Sequence, residues 1–335
     1  MRLLIFIVGC FFIFSCNNTD APNVSHIKVP LETKRFEQSF FALDTANLLP
    51  ELEKLVAKYP AFGENFLSTI LGTDPTWSAD TTTAYINSFI AYNKTVFDTS
   101  QKYFKNFDSY EKELKQLLQF VKYYYPKYKL PTKIITYIGP TDGYGDILDD
   151  DIMVVGLQAH LGANFPLYKT EMLQEVYPQY ITARFAPEYI VVNAGKNIVS
   201  DMYPEKNEDK RLLVQMVEKG KRLWLLSKFL PITAPHLLIG YTKAQLKDCD
   251  NHQSNIWNFF IQNNFLQMAD NNLIKNYVSE GPKTQELGEN APGNIGSYVG
   301  WQIVKKYVEK NKSIKPEQLL AVDNEVLYQQ AKYKP

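Results

Sequence analysis

Histidine is scarce in this chain of 335 residues, and the four that occur, His26, His160, His236 and His252, stand far apart. Zinc sites written in sequence show close pairs, two His three to five residues apart or a pair of Cys. No such pair is present, so no metal-ligating residue is assigned. Cysteine is scarcer still, with Cys10, Cys16 and Cys249. A Gly-x-Ser-x-Gly elbow is missing, and so is any glycine-rich phosphate loop; Gly143-Tyr144-Gly145 lacks the third glycine and opens no helix. No catalytic residue and no cofactor or cofactor-binding residue is therefore assigned. Charge of one sign is missing too: 36 basic residues balance 36 acidic ones. No stretch concentrates Lys and Arg enough to draw a phosphate backbone, which excludes nucleic acid as the expected partner. After the first 15 residues no apolar run approaches membrane-spanning length, so the body is expected to sit in water.

What is present begins at the amino terminus. Met1-Arg2 is followed by an almost unbroken apolar run to Phe14, then Ser15, Cys16 and the polar Asn17-Asn18-Thr19-Asp20. The run is too short to span a bilayer and has the charge–apolar–small-residue order of a secretory signal. Ile13, Ser15 and Cys16 together resemble the lipobox of bacterial lipoproteins. That resemblance implies cleavage before Cys16, a diacylglycerol on its sulfur and a third fatty acid, such as palmitate, on its new amino group. Three acyl chains exceed the two signals that stable anchoring needs. Residues 1–15 are thus expected to be a signal peptide, residues 16–30 a lipidated flexible tether, and residues 31–335 one globular domain. Cys10 would leave with the signal and Cys16 would carry lipid. Cys249, with no electropositive neighbours, reads as a buried inert thiol.

Along the body, Leu52, Leu55 and Val56 recur at helical spacing up to Tyr59-Pro60. Phe62, Phe66 and Ile70 predict a second helix closed by Gly72, and Tyr85, Phe89 and Ile90 a third within 79–100. Leu114, Leu117, Leu118, Val121 and Tyr124 predict a fourth, ending before Pro126. The β-branched run Thr132–Ile138 predicts a strand, Asp142–Asp146 a turn, and Ile152–Leu157 a second, neighbouring strand. Helices are again expected at 207–229, from the capping box Thr242–Gln245 onward, from Asp250 through Ile261, and over 295–310 and 316–332. The fold class is α+β, a predominantly helical single domain with a small sheet near residues 130–160.

Two local patterns invite chemistry. Asp142, Asp146 and Asp149-Asp150-Asp151 cluster, but without the alternating ligands, sixth-position Gly and twelfth-position Glu of a calcium loop; a solvated turn is expected. Gly296 and Gly300 lie four apart on a predicted helix whose Gln302, Lys305 and Lys306 forbid a membrane setting. Close approach to another backbone is expected there.

Several segments in order resemble the gliding-motility lipoprotein GldB family: Arg35-Phe36-Glu37-Gln38, Leu43-Asp44, Ile181-Thr182-Ala183-Arg184-Phe185, Pro187-Glu188-Tyr189-Ile190-Val191, Ile239-Gly240-Tyr241-Thr242, Ile256-Trp257 and Pro292 through Val304. The resemblance covers essentially the whole chain and rests on order and spacing. It implies an envelope lipoprotein that works with the motility and secretion machinery of gliding bacteria. The family is distantly similar to predicted zinc peptidases with His-Glu-x-x-His on a helix, which implies a degenerate zincin-like fold. The counterparts here would be Pro187–Val191 or Val217-Glu218-Lys219-Gly220-Lys221. Pro187, Val191 and Val217 offer no donor atom and Lys221 would repel a cation, while Glu218 could pair with Lys221 or Arg222.

The expectation is a lipid-anchored cell-envelope protein without catalytic activity, supporting gliding through protein–protein contact with other motility or secretion proteins. Asn17, where inner-membrane retention would favour Asp, leans toward the outer membrane, with the body in the periplasm. An envelope hydrolase with a peptidase-like fold and relocated catalytic residues is the alternative, and a solute-binding lipoprotein a third class.

Overall fold

The computed structural model describes residues 21–60 and 62–335. The expected signal peptide and the lipid-attachment residue Cys16 lie outside the described residues. Packing starts earlier than composition suggested, because Val24 and Val29 are buried and Gln119 Nε2 donates to the Ile27 carbonyl at 2.9 Å. The expected flexible tether to Pro30 is thus corrected from Val24 onward: its polar residues face outward while its two valines reach the core.

A four-stranded sheet organises the chain. Strand β1 (Glu32–Arg35) pairs in parallel with β2 (Lys133–Tyr137), β2 pairs in parallel with β4 (Ile152–Gly156), and the short β3 (Ile147–Asp149) runs antiparallel on the far side of β4. Only β2 and β4 were legible beforehand. Alternate side chains explain why both read as continuous apolar runs. Ile134, Met153 and Val155 enter one core and Ile135, Tyr137, Ile152 and Val154 enter another, so the sheet is covered on both faces.

The smaller cover is amino-terminal. Helix α1 (Phe36–Phe41) and α2 (Leu48–Lys58) bring Phe36, Phe40, Leu52 and Leu55 against a short α3 (Gly63–Asn65), which continues as a π-helical turn over Phe66–Ile70. The third predicted helix divides at Asn93 into α4 (Ala79–Tyr92) and α5 (Lys94–Tyr103), and Asn93 Nδ2 bonds back to the Phe89 carbonyl at 3.0 Å. Helix α6 (Asp108–Tyr124) leads into β2.

The larger cover follows β4. It comprises α7 (Glu171–Val176), α8 (Gln179–Thr182), α9 (Tyr189–Met202), α10 (Leu212–Phe229), α11 (Pro235–Ile239), α12 (Lys243–Asn251), α13 (Gln253–Gln262), α14 (Asn271–Val278), α15 (Ile295–Lys310), α16 (Pro316–Ala321) and α17 (Asn324–Ala331). The Thr242–Gln245 capping box forms as its sequence predicts. Asp250 does not cap α13 but accepts the Tyr298 hydroxyl at 2.8 Å, and of the apolar residues on that helix Ile261 is exposed while Ile256, Trp257 and Phe260 are buried. Helices α10 and α15 cross where Gly220 meets Gly300. A Cβ on Gly300 would stand 1.7 Å from the Met216 carbonyl oxygen, so the two backbones are in contact. That close approach is what the Gly296–Gly300 spacing predicted. No helix among the described residues is long and apolar enough to cross a membrane. The fold is the expected predominantly helical α+β domain.

Candidate functional site

The register of the sheet sets up an unusual loop. Tyr137 at the end of β2 lies beside Gly156 at the end of β4, while β3, reached next, begins opposite Val154 on the other flank of β4. The connection 138–146 must therefore pass over the carboxyl end of β4. Gly156 makes the passage possible, since a Cβ there would stand 2.9 Å from the Gly145 carbonyl oxygen. Four successive carbonyls of the loop are then taken by side chains from separate parts of the chain. Tyr177 Oη donates to Gly143 at 2.8 Å, and Gln158 Nε2 donates to Tyr144 at 2.8 Å. Tyr137 Oη lies 2.6 Å from the Tyr144 oxygen and 2.8 Å from that of Gly145. Asn197 Nδ2, on α9, donates to Asp146 at 3.1 Å. Gln158 also accepts from the Gly139 amide at 3.2 Å, closing the loop at its start. Backbone groups of an irregular segment need partners, and here the partners are side chains rather than water. The loop is held rigid while Asp142 and Tyr144, which is 54% exposed, face solvent.

The loop ends in a buried ion pair. The Asp146 carboxylate receives the Gly156 amide at 3.1 Å, Asn193 Nδ2 at 2.8 Å, and His160 Nε2 at 2.9 and 3.0 Å from its two oxygens. The His160 ring is fully enclosed, and its Nδ1 faces the Ala186 carbonyl oxygen at 3.2 Å. Both ring nitrogens therefore face acceptors, which requires two N–H bonds and a positive charge. Burial pushes the imidazole toward its neutral form. The charge and hydrogen bonds of Asp146, the Ala186 carbonyl and the charge of Glu188 outweigh that and hold its pKa above the ordinary value. Because every nitrogen and oxygen of the pair is engaged, its work is positional: it fastens the loop, the end of β4 and the start of α9 together.

The acidic cluster of the sequence is thus dispersed. Asp146 turns inward, where a solvated turn was expected, because His160 and Asn193 are waiting there. Asp150 pairs with Lys129 at 2.6 Å and Asp151 with Lys133 at 3.3 Å, while Asp142 and Asp149 are exposed. Among the described residues no group of three or more His, Cys, Asp and Glu is placed to hold a metal ion. His26 and His252 are exposed, and His252 Nδ1 contacts the Asp248 carbonyl at 2.8 Å. Cys249 is buried, and burial pushes its thiol up to about 12.

The two segments compared with a peptidase helix have different fates. Glu188 lies exposed at the amino end of α9, on a groove of about 430 Å³ that Glu113, Tyr110 and Leu237 also line; burial raises the Glu113 carboxyl above its usual range. Val191 is buried behind it. In the second segment, Val217 and Lys221 are buried, and Lys221 Nζ donates to the Val322 carbonyl at the end of α16. Glu218 does not pair with Lys221 or Arg222. It accepts instead from Asn207 Nδ2 at 2.9 Å and the Lys206 amide at 3.2 Å, because the loop before α10 folds back over it.

A small sheet covered on both faces, with an irregular loop locked across its carboxyl end, defines a helical α+β scaffold that presents a fixed surface. The chain belongs to the gliding motility protein GldB family, whose model matches residues 17–335. No curated protein and no solved structure matches it. Membership assigns it to gliding motility and, by the family's lipoprotein character, to the cell envelope.

Proposed function

We propose that this chain is a lipid-anchored envelope protein that supports gliding by contact with other motility or secretion proteins, and that the loop 139–146 is its contact surface. The locked carbonyls of Gly143 to Asp146 carry the reading. A segment whose conformation is fixed before binding loses little entropy on docking, so its exposed side chains add affinity efficiently. The exposed aromatic Tyr144, beside the acidic Asp142, has the character of an interface anchor. The anchor itself is Cys16, triacylated and holding the body in the periplasm, at the outer membrane in preference to the inner. In this role the body acts without bond-making chemistry, in keeping with the His160–Asp146 pair, whose polar atoms are all committed to structure.

Asp142→Ser combined with Tyr144→Ser removes the outward side chains and leaves every loop-locking bond in place. The expected result is normal protein level and melting temperature with a loss of colony spreading and single-cell gliding. Full gliding with this double variant would remove the loop from the account.

A further inference from the structure

A cavity of about 200 Å³ lies between α9, α10, α11 and the amino end of α15. Its floor is aliphatic, with Leu223, Leu226, Leu238 and Ile239, while Ser200 and Glu280 mark an exposed mouth. Lys196 reaches into this space from α9, and among the described residues its ammonium has neither a hydrogen bond nor an ion pair. The carboxylates nearby are already occupied. Glu280 is bound to Arg184 at 2.9 Å, and Glu205 to Lys219 at 2.7 Å with Arg222 at 3.7 Å. Four cations thus surround two carboxylates, a local excess of positive charge in a chain whose net charge is zero. Asn294 and Ser297 place the amino end of the 16-residue α15 at the same cavity, adding the positive end of a helix dipole.

Burial pushes the Lys196 ammonium down to about 8, with Arg184 acting in the same sense and Glu280 opposing. Keeping it there costs folding stability, since burying an unpaired charge is unfavourable. A methionine would fill the same wall without that cost. A lysine with no partner of its own, in an open cavity with an apolar floor, is the arrangement that an incoming acid completes.

We propose that this cavity binds a carboxylate carried on a short aliphatic tail, with the head group between Lys196 and the amino end of α15 and the tail on Leu223, Leu226, Leu238 and Ile239. The space equals about seven waters at ~30 Å³ each, which suits a five-carbon acid or one terminal aliphatic residue of a polypeptide. A free acid and a chain terminus share this chemistry.

Calorimetric titration of the intact chain tests the site with valerate, N-acetyl-leucine and their neutral amides. The expected result is saturable binding of at least one acid, with its amide weaker by about tenfold or more, the worth of one charge-assisted hydrogen bond. Tighter binding of N-acetyl-leucine marks a polypeptide terminus, and tighter binding of valerate a free acid. Lys196→Met is expected to raise the melting temperature and to lower acid affinity by a similar factor. In the unaltered chain, the Lys196 side-chain nitrogen resonance is expected to move on titration with the bound acid. Neither acid saturating, amides binding as well as acids, Lys196→Met binding unchanged, or an unmoved Lys196 resonance would each overturn the proposal.

Discussion

Asp146 sits in the sequence among four other aspartates and two glycines, a composition that reads as exposed turn. Its actual role comes from residues 10, 14 and 47 positions away, Gly156, His160 and Asn193. No local pattern announces a pair assembled from three elements, which is why it was illegible while the buried Cys249 and the Thr242 cap were not. Asp146→Asn leaves an amide facing donors and an imidazole without its counterion. Breaking a buried pair in this way typically costs about 3–5 kcal/mol, and equilibrium denaturation should report a loss of that order. The sign with pH follows from the raised His160 value. The pair's contribution is full below the unfolded-state imidazole value near pH 6.5 and is lost as pH rises through the higher folded value. The stability difference between the natural chain and Asp146→Asn is therefore expected to be largest near pH 6 and to shrink as the solution becomes alkaline. A difference growing with pH would contradict a charged His160.

Periodicity was decisive where an element has one wet and one dry face, as in α2 and α6, whose apolar residues return every third or fourth position. It predicted nothing where an element opens on an unbroken apolar run. Helix α9 opens on the apolar run Tyr189-Ile190-Val191-Val192, and its helical spacing shows only beyond that run, where the polar Asn193, Lys196, Asn197, Ser200 and Asp201 recur every third or fourth residue. The strand β1 was missed for the opposite reason, being short, polar and at an edge. The continuous helix expected over 316–332 breaks at Val322-Asp323, where Asp323 caps the next helix by accepting two backbone amides. Glycine spacing was legible because it has one physical use, and the crossing of α10 and α15 depends on it. Gly300→Ala forces backbone movement at the Met216 carbonyl and is expected to cost about 3 kcal/mol or more. Gly145→Ala, where an added Cβ meets nothing within 4 Å, should be near neutral in the same denaturation series.

At the scale of the molecule, length, composition and patterning pointed to one helical α+β domain, and the family match over residues 17–335 places it among gliding motility proteins. The candidate surface was beyond reach, since it exists only once β4 lies between β2 and β3 and the chain must climb over it. Anchoring makes its own prediction. Cys16→Ala is expected to abolish labelling by a fatty-acid probe and to release the body from the membrane fraction or leave an uncleaved precursor; unchanged labelling would contradict it. The central claim, that a rigid loop on a tethered body grips a partner, is tested most directly by crosslinking in living cells. A photoreactive residue at position 144 should join the chain to one envelope protein, while the same residue at the exposed position 334, near the carboxyl terminus, should not. Equal yield from both positions, or none from 144 in cells that still glide, would contradict the account.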